Sequence, residues 1–384
     1  MSVPLVWHHL LHAKTRTMVA VAGVAFAVLL IFMQLGFLGA VEKTATMHYD
    51  SLAFDICLRS KDYLFWADAR TFPRARLEQA AALSEVASVK PLYIDVLAWR
   101  NPQSDSVRAI MAMGIDTQDP VYVVPEIVEK MPLLRRPRSL LIDRFTRREF
   151  GPRNGSRFSD ADVRVETEVS GQRMQIAGHF GLGTGLAADG AILVGLDEFE
   201  RITPQRSLDE VSLGLVALRD AAAVEAVQTK LRSLLPDDVE VLTRAEVVEY
   251  ELWRWVKDTS IGVIFQLGVI IALLVGLAIV YQVLSVDVSN QRREYATLRA
   301  MGYRTRFLEG VVLRQALALA AIGFVPGLLV SLGLYQITSG ATGLPIRMNS
   351  GRIAFVLGLT VLMCSLSGMA ALRKLKAADP ADLF

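Results

Sequence analysis

The sequence is poor in cysteine and histidine, and it lacks the common catalytic signatures. Two cysteines among 384 residues are too few for a disulfide-stapled fold or a four-cysteine zinc site. No Gly-x-x-x-x-Gly-Lys-Ser/Thr phosphate loop, Gly-x-Ser-x-Gly elbow or His-Glu-x-x-His pair occurs. We therefore predict that the chain is not an enzyme, holds no metal or cofactor of its own, and binds no nucleic acid.

Charge is also missing from four long stretches. These uncharged runs are Thr17–Val41, Thr259–Val286, Gln315–Ile346 and Ile353–Leu372. Each is about 20 residues or longer, and about 20 apolar residues suffice for a helix to cross a bilayer. The predicted fold class is an α-helical membrane protein with four transmembrane helices and a large α+β periplasmic domain between the first and second.

The predicted organisation follows from these runs and their flanks. It comprises a cytoplasmic interfacial helix (1–16), transmembrane helices at 17–41, 259–286, 310–338 and 353–372, a periplasmic domain (42–258), a cytoplasmic coupling loop (287–309), a short periplasmic hairpin (339–352) and a cytoplasmic tail (373–384). His8 and His12 have a zinc-like spacing, but no cysteine or acidic residue lies beside them, so we favour an interfacial helix.

The distribution of charge predicts which side is cytoplasmic. The 42–258 segment carries about 28 basic and 34 acidic residues, whereas the remainder carries about 13 basic and 5 acidic residues. Short basic flanks stay in the cytoplasm. This predicts a multi-pass protein of the inner (plasma) membrane with both termini cytoplasmic. Arg347 and Arg352 oppose this orientation, because they lie in the predicted outer hairpin.

Two helix-and-strand patterns stand at opposite ends of the periplasmic segment. Pro73–Leu83 is predicted to be helical and Val86–Val96 to be a strand, while Asp220–Leu235 is a second helical stretch followed by a strand. We predict a membrane-proximal α/β part built from residues 42–109 and 204–258. The inserted 110–203 part contains short glycine-punctuated strands, and it is predicted to be mainly β.

Small and polar residues within the spans predict close helix packing or dimer formation. The candidates are Gly23, Gln34, Gly36, Gln282, Gly323, Pro326 and Gly327. Small residues four apart let helices approach closely, and the two glutamines are predicted to hydrogen-bond between helices. The four uncharged runs offer no charged side chain within the bilayer, which argues against an ion relay through it.

The cytoplasmic loop combines an apolar stripe with charge. Tyr295, Leu298 and Met301 recur at a spacing of three, and Gly302 is positioned to end a short helix. Such a stripe suits a socket on another protein. The basic residues around it suit anionic lipid headgroups equally well. Composition alone leaves both interpretations open.

The loop sequence EYATLRAMGY resembles the coupling helix of the FtsX/MacB superfamily of ABC-transporter membrane subunits. The segments 279–289 and 323–327 are similar to the DevC type of permease, as are 14–27, 32–37, 141–152, 178–194 and 378–384. The resemblance covers essentially the whole chain. It implies ATPase-coupling roles for Arg292, Arg293, Glu294, Tyr295, Ala296, Leu298, Arg299, Met301 and Gly302.

The resemblance implies the membrane subunit of an ATP-driven tripartite exporter. Such subunits work as homodimers with a separate cytoplasmic ABC ATPase that binds ATP and Mg, a periplasmic adaptor (membrane-fusion) protein and an outer-membrane channel. The expected cargo is glycolipid or another lipophilic molecule, and motion of the periplasmic domain would drive export. Two alternatives remain: an FtsX-like signalling scaffold that controls a cell-wall hydrolase, or a lipoprotein-releasing permease.

Overall fold

A computed structural model describes residues 14–151, 157–183, 185, 187–290, 301, 305–342 and 344–377. The chain divides into two compact units. We call Met1–Ala40 with Asp258–Phe384 the membrane unit, and Val41–Lys257 the insert domain.

The helices and strands are numbered in chain order. The helices are α1 (Lys14–Asp50), α2 (Ala75–Ala81), α3 (Pro125–Lys130), α4 (Leu196–Ile202), α5 (Val224–Leu234), α6 (Arg244–Trp253), α7 (Ser260–Asn290), α8 (Thr305–Thr342) and α9 (Ser350–Ala377). The strands are β1 (Ile56–Ser60), β2 (Phe72–Pro73), β3 (Val86–Arg100), β4 (Val107–Ile115), β5 (Ser139–Asp143), β6 (Glu166–Val169), β7 (Gln172–Phe180), β8 (Ala191–Gly195), β9 (Glu210–Val211), β10 (Leu213–Leu218) and β11 (Val239–Thr243).

Four of the helices are long and apolar enough to cross a membrane. Their candidate spans are Thr17–Asp50 in α1, Ser260–Val286 in α7, Glu309–Ala341 in α8 and Ser350–Ala371 in α9. The insert domain lies between the first and second of these helices in the sequence. The predicted fold class, four transmembrane helices with a large α+β domain after the first, is confirmed.

The observed helices extend beyond the predicted spans. α1 continues through Glu42 and Lys43 to Asp50, and α8 begins at Thr305 and ends at Thr342. The predicted hairpin 339–352 therefore begins inside α8. The difference has a simple cause: the prediction ended each span near the first charged or turn-forming residue, whereas helical hydrogen bonding continues through polar residues outside the bilayer.

The first half of the insert domain is an antiparallel sheet in the order β11-β1-β10-β3. Two strand–helix–strand units, β1-α2-β3 and β10-α5-β11, interleave to form it, as in ferredoxin-like folds. In α5, the buried side chains of Val227 and Leu231 are four residues apart, so they lie on one face of the helix. β1 is buried along its whole length: Ile56 and Leu58 enter one hydrophobic core and Cys57 enters another.

The second half is a ring of six strands in the order β3-β4-β8-β5-β7-β6, and β6 returns to β3. The closing pairs are Trp99 with Val169 and Arg100 with Glu168. β3 belongs to both halves because it is 15 residues long: its first part pairs with β10 and its later part with β4. The predicted boundary near residue 110 falls inside β4, so the two predicted parts share one continuous sheet.

Candidate functional site

In the membrane unit, α1 and α8 approach each other closely at two glycines of α8. A β-carbon placed on Gly323 would lie 2.6 Å from Cβ of Val24, and one on Gly327 would lie 2.8 Å from the carbonyl oxygen of Ala25. Both distances are shorter than van der Waals contact. The glycines therefore let the backbone of α8 approach α1 more closely than any other residue would permit.

α7 packs against α1 through similar contacts. A side chain on Gly23 would overlap Ile279, and one on Gly276 would lie 2.6 Å from the β-carbon of Ala27. At the far end of this contact, the rings of Phe37 and Phe265 stack with centroids 5.2 Å apart. The predicted small residues of α1 thus contact helices of the same chain.

Gly36 and Pro326 complete the predicted packing set. A β-carbon on Gly36 would lie 2.5 Å from Oη of Tyr335, whose hydroxyl donates a hydrogen bond to the Phe32 carbonyl oxygen. Pro326 lies inside α8, one residue before Gly327. Together these contacts join α1 and α8 along most of their apolar length.

The predicted interhelical hydrogen bond is not observed at the Oε1 atom of Gln34, and it stays a prediction for Gln282. Gln34 packs onto Gly268 of α7, but its buried Oε1 atom accepts no hydrogen bond. Gln282 has an exposed side chain on α7. Sequence spacing could not distinguish a packed amide from a bonded one, because both need only a small residue on the facing helix.

The predicted coupling residues lie mainly outside the described residues. This applies to Arg292, Arg293, Glu294, Tyr295, Ala296, Leu298, Arg299 and Gly302. Met301 is described, and 62% of its surface is exposed. The ATPase-coupling roles therefore remain predictions. An exposed methionine in this loop is compatible with them.

The insert domain contains a buried polar cluster centred on Arg59, which was not predicted from the sequence. The Arg59 side chain is 1% exposed, and its Nε donates to Oε2 of Glu240 over 2.7 Å. Its guanidinium carbon lies 4.3 Å from the ring centroid of Tyr63 and 4.0 Å from that of Tyr250. The Tyr63 hydroxyl donates to Oε1 of Glu251 over 2.6 Å. Burial raises the pKa of both the Tyr63 hydroxyl and the Glu251 carboxyl.

A second buried carboxylate, Asp143, fixes the turn of the glycine-rich segment 181–185. Asp143 ends β5, and its two oxygens accept from the backbone N–H groups of Phe145 (2.8 Å) and Gly183 (2.6 Å). Gly183 has φ +93°, a conformation that favours glycine. Burial raises the pKa of the Asp143 carboxyl to about 6. The segment therefore forms a tight turn at Gly183, and Thr184 lies outside the described residues.

Several other titratable residues of the insert domain form an ionic network around Glu126. Nε2 of His179 lies 2.8 Å from Oδ1 of Asp160, and Lys130 and Arg144 both contact the Glu126 carboxylate. In the part of the chain that the structure describes, no group of three or more His, Cys, Asp or Glu residues could hold a metal ion. These contacts support folding and electrostatics, and they show no nucleophile beside a base.

Comparison with known proteins gives one family match. Residues 267–380 match the family described as FtsX-like permease C-terminal, so the predicted relation to FtsX-type permeases is confirmed for this segment. The matched residues include α8 and α9, most of α7 and the 287–309 loop. This match and the four apolar helices of the chain indicate a multi-pass protein of the inner membrane. A comparison with curated proteins gives no match.

Solved structures also resemble part of the chain, and two of them serve as examples. One is the extracellular domain of the noncanonic ABC-type transporter YknZ from Gram-positive bacteria, at 13% identity and a TM-score of 0.32, over 50% of this chain and 99% of that chain. The other is the periplasmic region of MacB from Actinobacillus actinomycetemcomitans, at 9% identity and a TM-score of 0.35, over 53% of this chain and 94% of that chain. No functional conclusion follows at such scores.

Proposed function

We propose that this chain, whose residues 267–380 form an FtsX-like permease C-terminal domain, is the membrane subunit of an ATP-driven exporter. In this proposal a separate cytoplasmic ABC ATPase binds ATP and Mg, and the chain transmits its motion to the insert domain. The observation that carries the proposal is the family match. The sequence contains no phosphate loop, which fits a subunit whose ATPase is a different chain.

The composition of the spans supports transmission of motion more than conduction of a solute. Residues 17–41, 260–286, 315–341 and 353–371 contain no charged side chain. Ion and proton pathways in membranes ordinarily use such side chains. The helices instead pack through glycine contacts, and α1 is one helix from Lys14 to Asp50. A long helix can transmit displacement along its axis.

The charge distribution supports a topology with both termini and the 287–309 loop in the cytoplasm. The insert domain is then on the external side. On this basis we assign the partners of the DevC-type resemblance to the insert domain: a periplasmic adaptor and, beyond it, an outer-membrane channel. Glycolipid or another lipophilic molecule remains the proposed cargo.

An exposed face of α7 supports a homodimer. Ile264, Leu267, Ile271 and Leu274 recur at helical spacing with exposed side chains, and Gln282 continues the same face. A glutamine that faces lipid tails has no hydrogen-bond partner, whereas at a two-fold axis it can pair with its copy on a second chain. We therefore place the dimer contact on this face.

The ATPase contact is tested by adding charge to the predicted stripe. Leu298→Glu or Met301→Glu should reduce co-purification of the ATPase at least tenfold, because a buried carboxylate would lack a partner. Ala300→Glu is the matched control, since on the predicted helix it lies nearly opposite Leu298. Equal ATPase recovery with all three variants and the wild type would contradict the proposed coupling site.

The wider assembly is tested by purifying the tagged chain from native membranes. An exporter should bring down an ABC ATPase and an adaptor protein, together with enriched lipid. Recovery of a cell-wall hydrolase without an adaptor would favour the signalling scaffold. Recovery of lipoproteins without an outer-membrane channel would favour a lipoprotein-releasing permease.

A further inference from the structure

The membrane unit has a groove at the end opposite the 287–309 loop. The last turns of α8 and the 344–349 segment enclose about 410 Å³. Its lining residues are Leu332, Tyr335, Gln336, Ser339, Ile346 and Met348. Half of these side chains are apolar and half can hydrogen-bond, and the volume is within the range of small-ligand pockets. The groove therefore suits a molecule with both an apolar and a polar part.

Arg352 is held in a fixed position next to this groove. Its backbone N–H donates to Oδ1 of Asn349 over 2.7 Å, which caps the start of α9. Its Nη1 donates to the carbonyl oxygen of Arg347 over 2.7 Å. The guanidinium carbon lies 6.0 Å from the ring centroid of Tyr335, and any side chain at Gly39 would overlap the guanidinium. Neutral groups alone thus position this charge.

The two arginines at this site lack an ion-pair partner within the described ranges of the chain. Among the described residues, no carboxylate forms an ion pair with Arg347 or Arg352. Basic residues in short loops are ordinarily retained on the cytoplasmic side, yet α8 separates these two from the basic loop at its other end. Arginine binds phosphate through two parallel hydrogen bonds, so the site offers what an anionic headgroup requires.

We propose that this groove binds an anionic phospholipid of the membrane. The phosphate contacts Arg352 and Arg347, and the start of an acyl chain lies against Leu332, Ile346 and Met348. Tyr335 and Gln336 line the polar part of the groove, where they can bond headgroup oxygens. The site belongs to the membrane unit alone, so it does not depend on an ATPase partner or on export.

Lipid retention by the purified full-length chain tests the proposal. The chain in neutral detergent is mixed with equal amounts of phosphatidylglycerol and phosphatidylcholine, and bound lipids are counted by native mass spectrometry. The wild type should retain phosphatidylglycerol in preference. Arg352→Gln should lower this retention about tenfold, because it removes a charge-assisted pair of hydrogen bonds. Arg314→Gln, the same change near the other end of α8, should leave it unaltered.

Two further arms separate the groove from a simple charge effect. Leu332→Trp fills the groove without changing charge, and it should also reduce phosphatidylglycerol retention. Met348→Gln tests the same wall if the tryptophan variant fails to elute as a folded species. Glycerol phosphate, which has the charge but no acyl chains, should not displace the lipid at equal concentration.

Three results would overturn the proposal. These are equal retention by Arg352→Gln and Arg314→Gln, full retention by the folded groove variants, and displacement by glycerol phosphate. The last would identify a site for free phosphate and not for a lipid.

Discussion

Several buried polar groups of the insert domain pair with polar partners, whereas many contacts between the membrane helices rely on glycine. In the insert domain Arg59 contacts Glu240, and the Trp99 indole N–H donates to the Phe150 carbonyl oxygen over 2.8 Å. In the membrane unit Gly323 and Gly327 bring the α8 backbone against α1. Folding in water gains from burying apolar surface, whereas helix association in lipid depends on close packing and on interhelical hydrogen bonds. The two units are therefore specified by different physical means.

The largest effect should come from removing the central charge of the insert domain. Arg59→Ala is expected to destabilise this domain by about 3 kcal/mol, because it leaves a cavity and removes the partner of Glu240. Thermal unfolding of the full-length chain in detergent can be followed by tryptophan fluorescence. The tryptophans that the structure describes, Trp66, Trp99, Trp253 and Trp255, all lie in the insert domain.

An exposed arginine supplies the control for this measurement. Arg100 contacts Asp105 and Glu168, but its side chain is 40% exposed. Arg100→Ala should therefore cost less than about 1 kcal/mol. If the two variants lose equal stability, buried polar pairing is not what distinguishes the insert domain, and the comparison fails.

The next effect tests the glycine contacts of the membrane unit. Gly327→Val should destabilise the helix bundle by about 2–3 kcal/mol, since its β-carbon would meet the backbone of α1. Gly333→Val is the matched control on the same helix, because no atom lies within 4 Å of its β-carbon position. Loss of helical circular dichroism during titration with SDS gives both values. Equal midpoints would show that close approach contributes little.

The sequence predicted the membrane unit better than the insert domain. The signal for a membrane span is local in the sequence, whereas the contacts of the insert domain join distant residues. Twenty uncharged residues are a local signal, and all four spans are present. β1 was missed because Arg59 makes it appear polar, although its guanidinium is buried between two aromatic rings. The pairing of Trp99 with Val169 closes the strand ring between residues 70 positions apart, and no local pattern encodes it.

The candidate sites of the two units also differ in how well the sequence predicted them. Packing glycines could be identified from their spacing, because small residues four apart can serve only a limited set of purposes in a span. The buried Asp143 could not be identified from the sequence, since a single acidic residue in a basic segment looks like a surface charge. Two segments used for the resemblance, 141–152 and 178–194, meet at this residue, where Asp143 pairs in register with Phe180. Only the fold shows that these two segments are adjacent.

A third prediction uses the pH dependence of the insert domain. The Asp143 pKa is raised by burial from 3.8 to about 6 in the folded domain, so the folded state binds the proton more tightly than the unfolded chain does. This residue's contribution should then favour folding at low pH and be lost as pH rises from about 4 to 7, by on the order of 2 kcal/mol. Asp143→Asn cannot titrate, and its stability should change less over this range.

The readout is the difference in unfolding free energy between wild type and Asp143→Asn at pH 5 and at pH 7.5. Other groups titrate alike in both proteins, so their effects cancel. The unfolding free energy of Asp143→Asn relative to that of the wild type should therefore increase as the pH increases. Parallel profiles of stability against pH would show that burial of Asp143 does not penalise its charged form. They would also show that other contacts hold the 181–185 turn.

The smallest effect distinguishes packing from hydrogen bonding within the membrane unit. Oε1 of Gln34 is buried without a hydrogen bond, whereas Oγ of Ser367 on α9 donates to the Leu277 carbonyl oxygen of α7 over 3.0 Å. Gln34→Leu should therefore be neutral or stabilise the bundle by about 0.5 kcal/mol. Ser367→Ala should cost about 0.6 kcal/mol, the usual size of an interhelical hydrogen bond in a membrane. The same SDS titration measures both. A loss with Gln34→Leu larger than that with Ser367→Ala would mean that the amide bonds a group on a neighbouring helix or on a second chain, and that polar pairing specifies both units.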